Sequence, residues 1–165
     1  MQRKSMASAS CPVARSLDAV GEWWSLLILR DAFAGTTRFT EFQKSLGLAR
    51  NVLSARLRKL VAYGVLEVVP ASNGSAYQEY VLTERGKALS PVLVALRQWG
   101  EHHLFRPGEP HAILVDKAFQ QPLRLLELRA NDGRVLQPEE IELLPAKRHR
   151  SKRTKIASTS SVART

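Results

Sequence analysis

Acidic residues are missing from the middle of this chain: none lies between Glu41 and Glu67, while Lys44, Arg50, Arg56, Arg58 and Lys59 all fall inside that window. Surface helices ordinarily mix signs, because an acid three or four residues from a lysine or arginine adds some stability. A one-signed stretch therefore raises a polyanion as a partner. Cysteine is almost absent too. With Cys11 alone, no internal disulfide can form, which fits a reducing compartment. No apolar run follows the basic N-terminal MQRKSMASAS as a secretory signal would require, and no stretch approaches the length that spans a bilayer. A soluble cytoplasmic protein without membrane association is the expectation. Metal and enzyme signatures are lacking as well. His102 and His103 are adjacent and would point apart on a helix, and no second cysteine completes a ligand set with His111. No Ser-His-Asp order, paired-carboxylate cleft or glycine-rich phosphate loop occurs in its required context, so no cofactor and no enzymatic activity are expected.

The chain of 165 residues has room for one domain with a proper core plus an appendage. Its net charge of +10 is uneven, since Lys147, Arg148, Arg150, Lys152, Arg153, Lys155 and Arg164 carry most of it with no acid among them. The high isoelectric point is mainly a property of the tail, and the folded part needs its own argument for nucleic acid.

Residues 1–10 read as a disordered arm. Pro12 suits the first turn of a helix and Gly21 its end. EWWSLLILRDAFAG reads as a central buried helix with Trp23, Leu26, Leu27, Leu29 and Phe33 in a nearly all-round apolar pattern. Thr40 and Gln43 have the spacing of a capping box, which predicts a short helix from about Glu41 to Gly47. The next helix is expected over about 49–63, with Leu53, Leu57 and Leu60 as its buried stripe and Gly64 after it. LEVVP and YQEYVL then read as a β-hairpin turning at Asn73-Gly74. Thr83 caps a long final helix that Pro91 is expected to kink, with Leu89, Val92, Leu93, Leu96 and Trp99 on one side. Beyond Arg106, short apolar runs around Asp132-Gly133 predict a small β appendage over 106–145. Residues 146–165 read as a disordered basic tail.

Three helices, a hairpin and another helix give the element order of a winged helix-turn-helix, whose second motif helix enters the DNA major groove. If Leu53, Leu57 and Leu60 face the core, Asn51, Ser54, Ala55 and Arg58 face outward, with Arg50 and Lys59 on the flanks. Asn and Arg can read adenine or guanine edges bidentately, a small Ala55 permits close approach, and Lys59 suits a phosphate. A merely solvated basic face is the bland alternative. The hairpin and the missing acids favour the DNA reading. Arg56, at the edge of the buried face, is as suited to a structural pair as to DNA.

The segments CPVARSLDAVGEWWSLLILRDAFAGTTRFTEFQKSLGLARNVLSARLRKLVAYGVLE and EYVLTERGKALSPVLVALRQWGEHH resemble the HxlR family of bacterial transcriptional regulators, relatives of the MarR group. The likeness covers about residues 11–103. It rests on the cysteine-proline start, Trp-x-x-x-Ile-Leu-Arg, Gly35 with Arg38-Phe39, Leu53-x-x-Arg56-Leu57, Gly64, Tyr80-x-Leu82-Thr83, Gly86 and Trp99. It implies a homodimer joined through its first and last helices that binds near promoters. The family's wing usually carries arginine and a proline pair, whereas this chain reads VPASNGSAYQEY, which leaves Ser72, Asn73 and Ser75 as candidate phosphate contacts. In some members a cysteine at the Cys11 position senses oxidants or electrophiles. Cys11 is accordingly a candidate redox sensor, next to a helix start that favours a reactive thiol.

The fold class expected is mainly α with a small β wing (α+β), a winged helix-turn-helix with dimer-forming terminal helices and a small C-terminal β appendage. The domain over 11–105 is expected to bind double-stranded DNA as a homodimer, and no effector residues are assigned. The rivals are a nonspecific architectural DNA-binding protein driven by the tail, and a protein-interaction module using the appendage.

Overall fold

The computed structural model describes residues 5–71, 73–74 and 76–144. Helices α1 (Pro12–Val20), α2 (Trp23–Phe33), α3 (Phe39–Leu46) and α4 (Arg50–Ala62) come first. Strands β1 (Leu66–Pro70) and β2 (Gln78–Leu82) follow, then α5 (Glu84–Lys87) and α6 (Ser90–Leu104). The chain divides into two compact units, Met1–Leu126 and Glu127–Thr165. All the named helices and strands belong to the first.

The core of the first unit forms where the stripes of three helices meet the sheet. Ile28 and Leu29 of α2, Phe42 of α3, Leu53, Leu57 and Leu60 of α4 and Leu66 of β1 are all fully buried. Each such side chain is worth about 1.5–3 kcal/mol of transfer free energy. The leucine spacing of α4 is thus the spacing of its buried face. Pro12 opens α1 and Gly21 caps it, as expected from those two residues.

The expected start of α3 is corrected. Arg38 is the N-cap, and its backbone N–H donates to the Glu41 carboxylate at 3.2 Å, so Glu41 fills the role that Gln43 was expected to play. Gln43 instead reaches forward and donates to the Leu48 carbonyl, and Gly47 ends the helix in the left-handed region at φ 63°, where a side chain would be strained. Pro91 is also corrected, from a kink to a break. The long helix is two, α5 capped by the Thr83 hydroxyl accepting from the Gly86 N–H, and α6 with Pro91 in its first turn, where proline costs no hydrogen bond.

β1 and β2 pair antiparallel in the register Leu66↔Leu82 through Pro70↔Gln78. The Tyr80 N–H donates to the Thr37 carbonyl, and Arg38 bridges Glu79, so the residues entering α3 lie along the hairpin. Gly74 takes φ 70° at the tip.

Three further expectations change. Ser5–Ser10 does not behave as a free arm: the Ser5 hydroxyl donates to Asp18 at 2.8 Å, and the Arg15 guanidinium donates to the Ala9 carbonyl. Trp23 is 70% exposed and Trp99 55% exposed, so neither is a core residue, and α6 buries none of its residues within one chain. Among the described residues after α6, the expected strands are reduced to two antiparallel bridges, Val115↔Pro122 in the first unit and Arg129↔Val135 in the second, with a single 3-10 turn at Pro138–Glu140. The basic tail lies outside the described residues.

Candidate nucleic-acid interface

Helix α4 places the residues singled out by sequence on three different sides. With Leu53, Leu57 and Leu60 buried, Asn51, Ala55 and Arg58 are exposed along one outward ridge, as residues three to four apart must be. Ser54 is half-buried, and its carbonyl accepts from the Arg58 Nε at 3.3 Å, which lays the arginine along the ridge. Arg50 is exposed at the first turn, with its guanidinium 5.7 Å above the ring of Phe39, so α3 steadies it. Lys59 is half-buried on the other flank, its ammonium 5.9 Å from the Tyr63 ring centre. The ridge carries no acid.

Asn51 is not idle. Its side-chain oxygen accepts from the Val52 N–H at 2.9 Å, an amide that also donates to the Ala49 carbonyl at 3.0 Å in the first turn. Reading a base with both amide atoms uses the second lone pair of that oxygen or displaces the bond.

Arg56 belongs to the scaffold. Its guanidinium pairs with the Glu22 carboxylate at 2.5 Å, at the entrance to α2, and both side chains are largely buried. That resolves its two sequence-level roles in favour of the structural one. In the wing, Asn73 is described and exposed at the tip beside Gly74, whereas Ser72 and Ser75 lie outside the described residues. Cys11 is exposed and is the N-cap residue of α1, with its carbonyl accepting from the Arg15 N–H.

Several positioning contacts join residues whose partners have no local sequence signal. The carbonyl end of α4 is held from α5, where Arg85 donates to the Tyr63 carbonyl at 2.9 Å and the Thr83 hydroxyl to that of Gly64 at 2.6 Å. Arg38 meets Glu79 at 3.4 Å, tying the entrance of α3 to the wing. Tyr63, the C-cap of α4, donates to Asp18 of α1. The Arg38-Phe39 pair was visible as a signature, but its partner 41 residues away was not. Among the described residues no group of three or more His, Cys, Asp and Glu is placed to hold a metal, and no helix is long and apolar enough to cross a membrane.

A support helix followed by a helix with an exposed basic ridge, then a hairpin wing, defines a winged helix-turn-helix. Residues 19–107 match the model of the HxlR-like helix-turn-helix family. The chain belongs to that family of transcriptional regulators. An uncharacterized HTH-type transcriptional regulator of Mycobacterium tuberculosis is 48% identical over 98 residues, which is 59% of this chain and 62% of that protein's length. The chain thus matches less than two thirds of that relative. A crystal structure of a candidate transcription factor is 55% identical, covers 87% of this chain and all of its own, and superposes with a TM-score of 0.82. The redox regulator HypR in its oxidized form is 31% identical over 56% of this chain and 97% of its own, with a TM-score of 0.52. These relatives are named as regulators rather than enzymes.

Proposed function

We propose that this chain is a cytoplasmic, sequence-specific DNA-binding regulator of transcription that acts as a homodimer on a roughly palindromic promoter site. The single observation that carries this reading is the acid-free ridge of Asn51, Ala55 and Arg58, flanked by Arg50 and Lys59, on a helix whose opposite stripe is fully buried. A twofold pair of such helices enters successive major grooves about 34–36 Å apart. Arg50, Asn51, Ser54 and Arg58 select the sequence, Ala55 permits close approach, and Lys59 with Ser72, Asn73 and Ser75 of the wing contacts phosphate. Residues 11–105 supply DNA binding and dimerisation, with 106–145 appended to them. Exposed Val13 and Leu17 on α1 and Val92, Leu96 and Trp99 on α6 support these helices as the dimer surface.

Footprinting purified protein across its own upstream region tests this function. The expected result is protection of two half-sites one helical turn apart, retained when the chain is cut after Ala146. Loss of all site preference in that truncated chain would favour the architectural rival, and no shift of promoter DNA at low salt would favour the protein-interaction rival.

A redox input through Cys11 is supported by its exposure at the start of α1 and by the likeness to HypR. With one cysteine, the oxidised products are an intersubunit disulfide, a mixed disulfide or an adduct. Diamide or a quinone is expected to change operator affinity in the wild type and not in Cys11→Ser. Full modification with unchanged affinity would make Cys11 structural.

A further inference from the structure

We infer that the segment Gly108–Leu126 is an interface arm covered by a second copy of this chain; the inference rests on the homodimer proposed above and extends its surface beyond α1 and α6.

The arm has a defined shape but no core. Leu123 donates its N–H to the Leu114 carbonyl and Asp116 to that of Gln121, closing a hairpin around the Val115↔Pro122 bridge. The Asp116 carboxylate accepts from the backbone N–H groups of Phe119 at 2.6 Å and Gln121 at 3.0 Å, fixing the turn. Gln98 of α6 then grips the end of the arm as a neighbouring strand would. Its amide donates to the Arg124 carbonyl at 2.8 Å and its side-chain oxygen accepts from the Leu126 N–H at 2.9 Å. Between those two contacts lies Leu125, so its backbone sits beside the turn of α6 that carries Trp99.

Nevertheless no residue from His102 to Leu126 is buried, and Phe119 is 80%, Leu125 71% and Ile113 61% exposed. Fixing the backbone costs about 1–2 kcal/mol per residue, and this segment hides too little apolar surface within one chain to offset it. The solved relative with a TM-score of 0.82 covers 87% of this chain, far more than residues 19–107 alone. The match to that relative therefore extends beyond the family domain into the appended region.

Three features favour a second copy as the cover. DNA is the wrong partner, because the arm is apolar and its Glu109 and Asp116 are matched by Lys117 and Arg124 rather than outnumbered by cations. Gln98 joins the arm to α6, where Val92, Leu96 and Trp99 are each about half exposed, so the arm lengthens a face already assigned to the dimer. Area gives the third reason. Scaling the exposures of Val13, Leu17, Val92, Leu96, Trp99 and Leu104 by ordinary residue areas gives about 600 Å² of apolar surface, while obligate homodimers bury roughly 1,000–2,500 Å² per partner, about 65% of it apolar. The arm's leucines, isoleucine and phenylalanine add about as much again.

Full-length Leu125→Asp/Leu126→Asp tests this, with the dimer dissociation constant measured by analytical ultracentrifugation over a dilution series. These side chains are exposed in the single chain, so the far-ultraviolet circular dichroism should be unchanged while the dissociation constant rises at least tenfold. Gln98→Ala should weaken the dimer several-fold without altering the apolar face of α6. As a second readout, Leu125→Cys in a Cys11→Ser background, mixed between two differently tagged copies, should cross-link between chains with a short bismaleimide. Unchanged dissociation constants in the arm variants, with Leu96→Asp still dissociating the dimer, would overturn the arm and leave the helix-based dimer standing. A wild type that is monomeric at every concentration would overturn the dimer and the arm together.

Discussion

The Tyr63 hydroxyl donates to the Asp18 carboxylate at 2.7 Å, joining the end of α4 to α1. The same carboxylate accepts from the Ser5 hydroxyl. Asp18 therefore connects three parts of the molecule: the N-terminal segment, the helix proposed for the dimer and the helix proposed for DNA.

That connection predicts a stability that depends on pH from both ends. The Tyr63 hydroxyl first, then the Met6 backbone and Ser5, hold the Asp18 carboxyl below its ordinary value of 3.8. A lowered carboxyl stabilises the fold fully above 3.8 and loses that contribution as pH falls through the lowered value. The Asp18 carboxylate also pushes the Tyr63 phenol above its ordinary 10.0, so its contribution is present below 10.0 and lost as pH rises through the raised value. Urea unfolding of wild type and Asp18→Asn across pH should show a gap at neutral pH that narrows in acid, and Tyr63→Phe should converge with wild type at high pH. Parallel curves over the whole range would mean that neither group's ionisation is linked to folding.

On the ridge of α4, Arg58→Ala should cost about 1–3 kcal/mol of operator binding if the side chain reads a base, with nonspecific binding little changed. Asn51 needs a more careful variant, because its side-chain oxygen also accepts from the Val52 N–H. Asn51→Ser keeps a short acceptor at the helix start and removes the paired amide, so it should lose specificity while α4 stays intact. Lys59→Ala should weaken specific and nonspecific DNA alike and lower the salt slope by about one. Wild-type operator affinity in Asn51→Ser, measured by fluorescence anisotropy, would remove Asn51 from base reading.

Arg56 should behave oppositely to Arg58 although it is two residues away. Its guanidinium is held by Glu22, with 28% and 21% of the two side chains exposed. Arg56→Ala should destabilise the fold by roughly 1–3 kcal/mol, the range for hydrogen bonds to charged groups and for a partner left unpaired. At temperatures where the variant is folded, its discrimination between operator and random DNA should match the wild type. A specific loss of operator binding in a fully stable Arg56→Ala protein would instead put Arg56 on the DNA.

The contrast between Arg56 and Arg58 shows which parts of the structure were legible in sequence. Local signals worked well: Pro12 and Gly21 bounded α1, and the leucine spacing of α4 gave its buried stripe and hence its outward ridge. Long-range pairs such as Asp18 with Tyr63 and Arg38 with Glu79 leave no periodic trace, because nothing in either neighbourhood marks the partner. Apolar spacing also cannot say which molecule covers an apolar face. Trp23 and Trp99 have core-like positions in sequence yet are mainly exposed in the single chain. The start of α3 was misplaced because Thr40 and Gln43 have capping-box spacing, while the observed pairing uses the Arg38 backbone N–H and Glu41, which needs no capping side chain at Arg38.

Gly86 makes the last case, where packing rather than backbone conformation requires glycine. A Cβ built there would lie 2.2 Å from the Val65 carbonyl oxygen and 3.0 Å from a Leu82 methyl. That carbonyl already accepts from the Thr83 N–H, so it has no freedom to swing away without disturbing the junction between α4, β1 and α5. Gly86→Ala should therefore push α5 outward, at a cost on the order of 1–3 kcal/mol for overpacking. Gly100 in α6 is the contrast within the single chain: its added Cβ meets nothing within 4 Å there, so Gly100→Ala, measured at concentrations where the chain is monomeric, should stabilise the helix by about 0.5–1 kcal/mol. The effect at Gly86 should reach DNA binding as well, because Arg85 of α5 and its N-cap Thr83 hold the carbonyl end of α4. The expected result is a lower urea midpoint together with weaker operator binding for Gly86→Ala, and a higher midpoint for Gly100→Ala. If Gly86→Ala is as stable as the wild type, the α5 contact is compliant and does not set the position of α4.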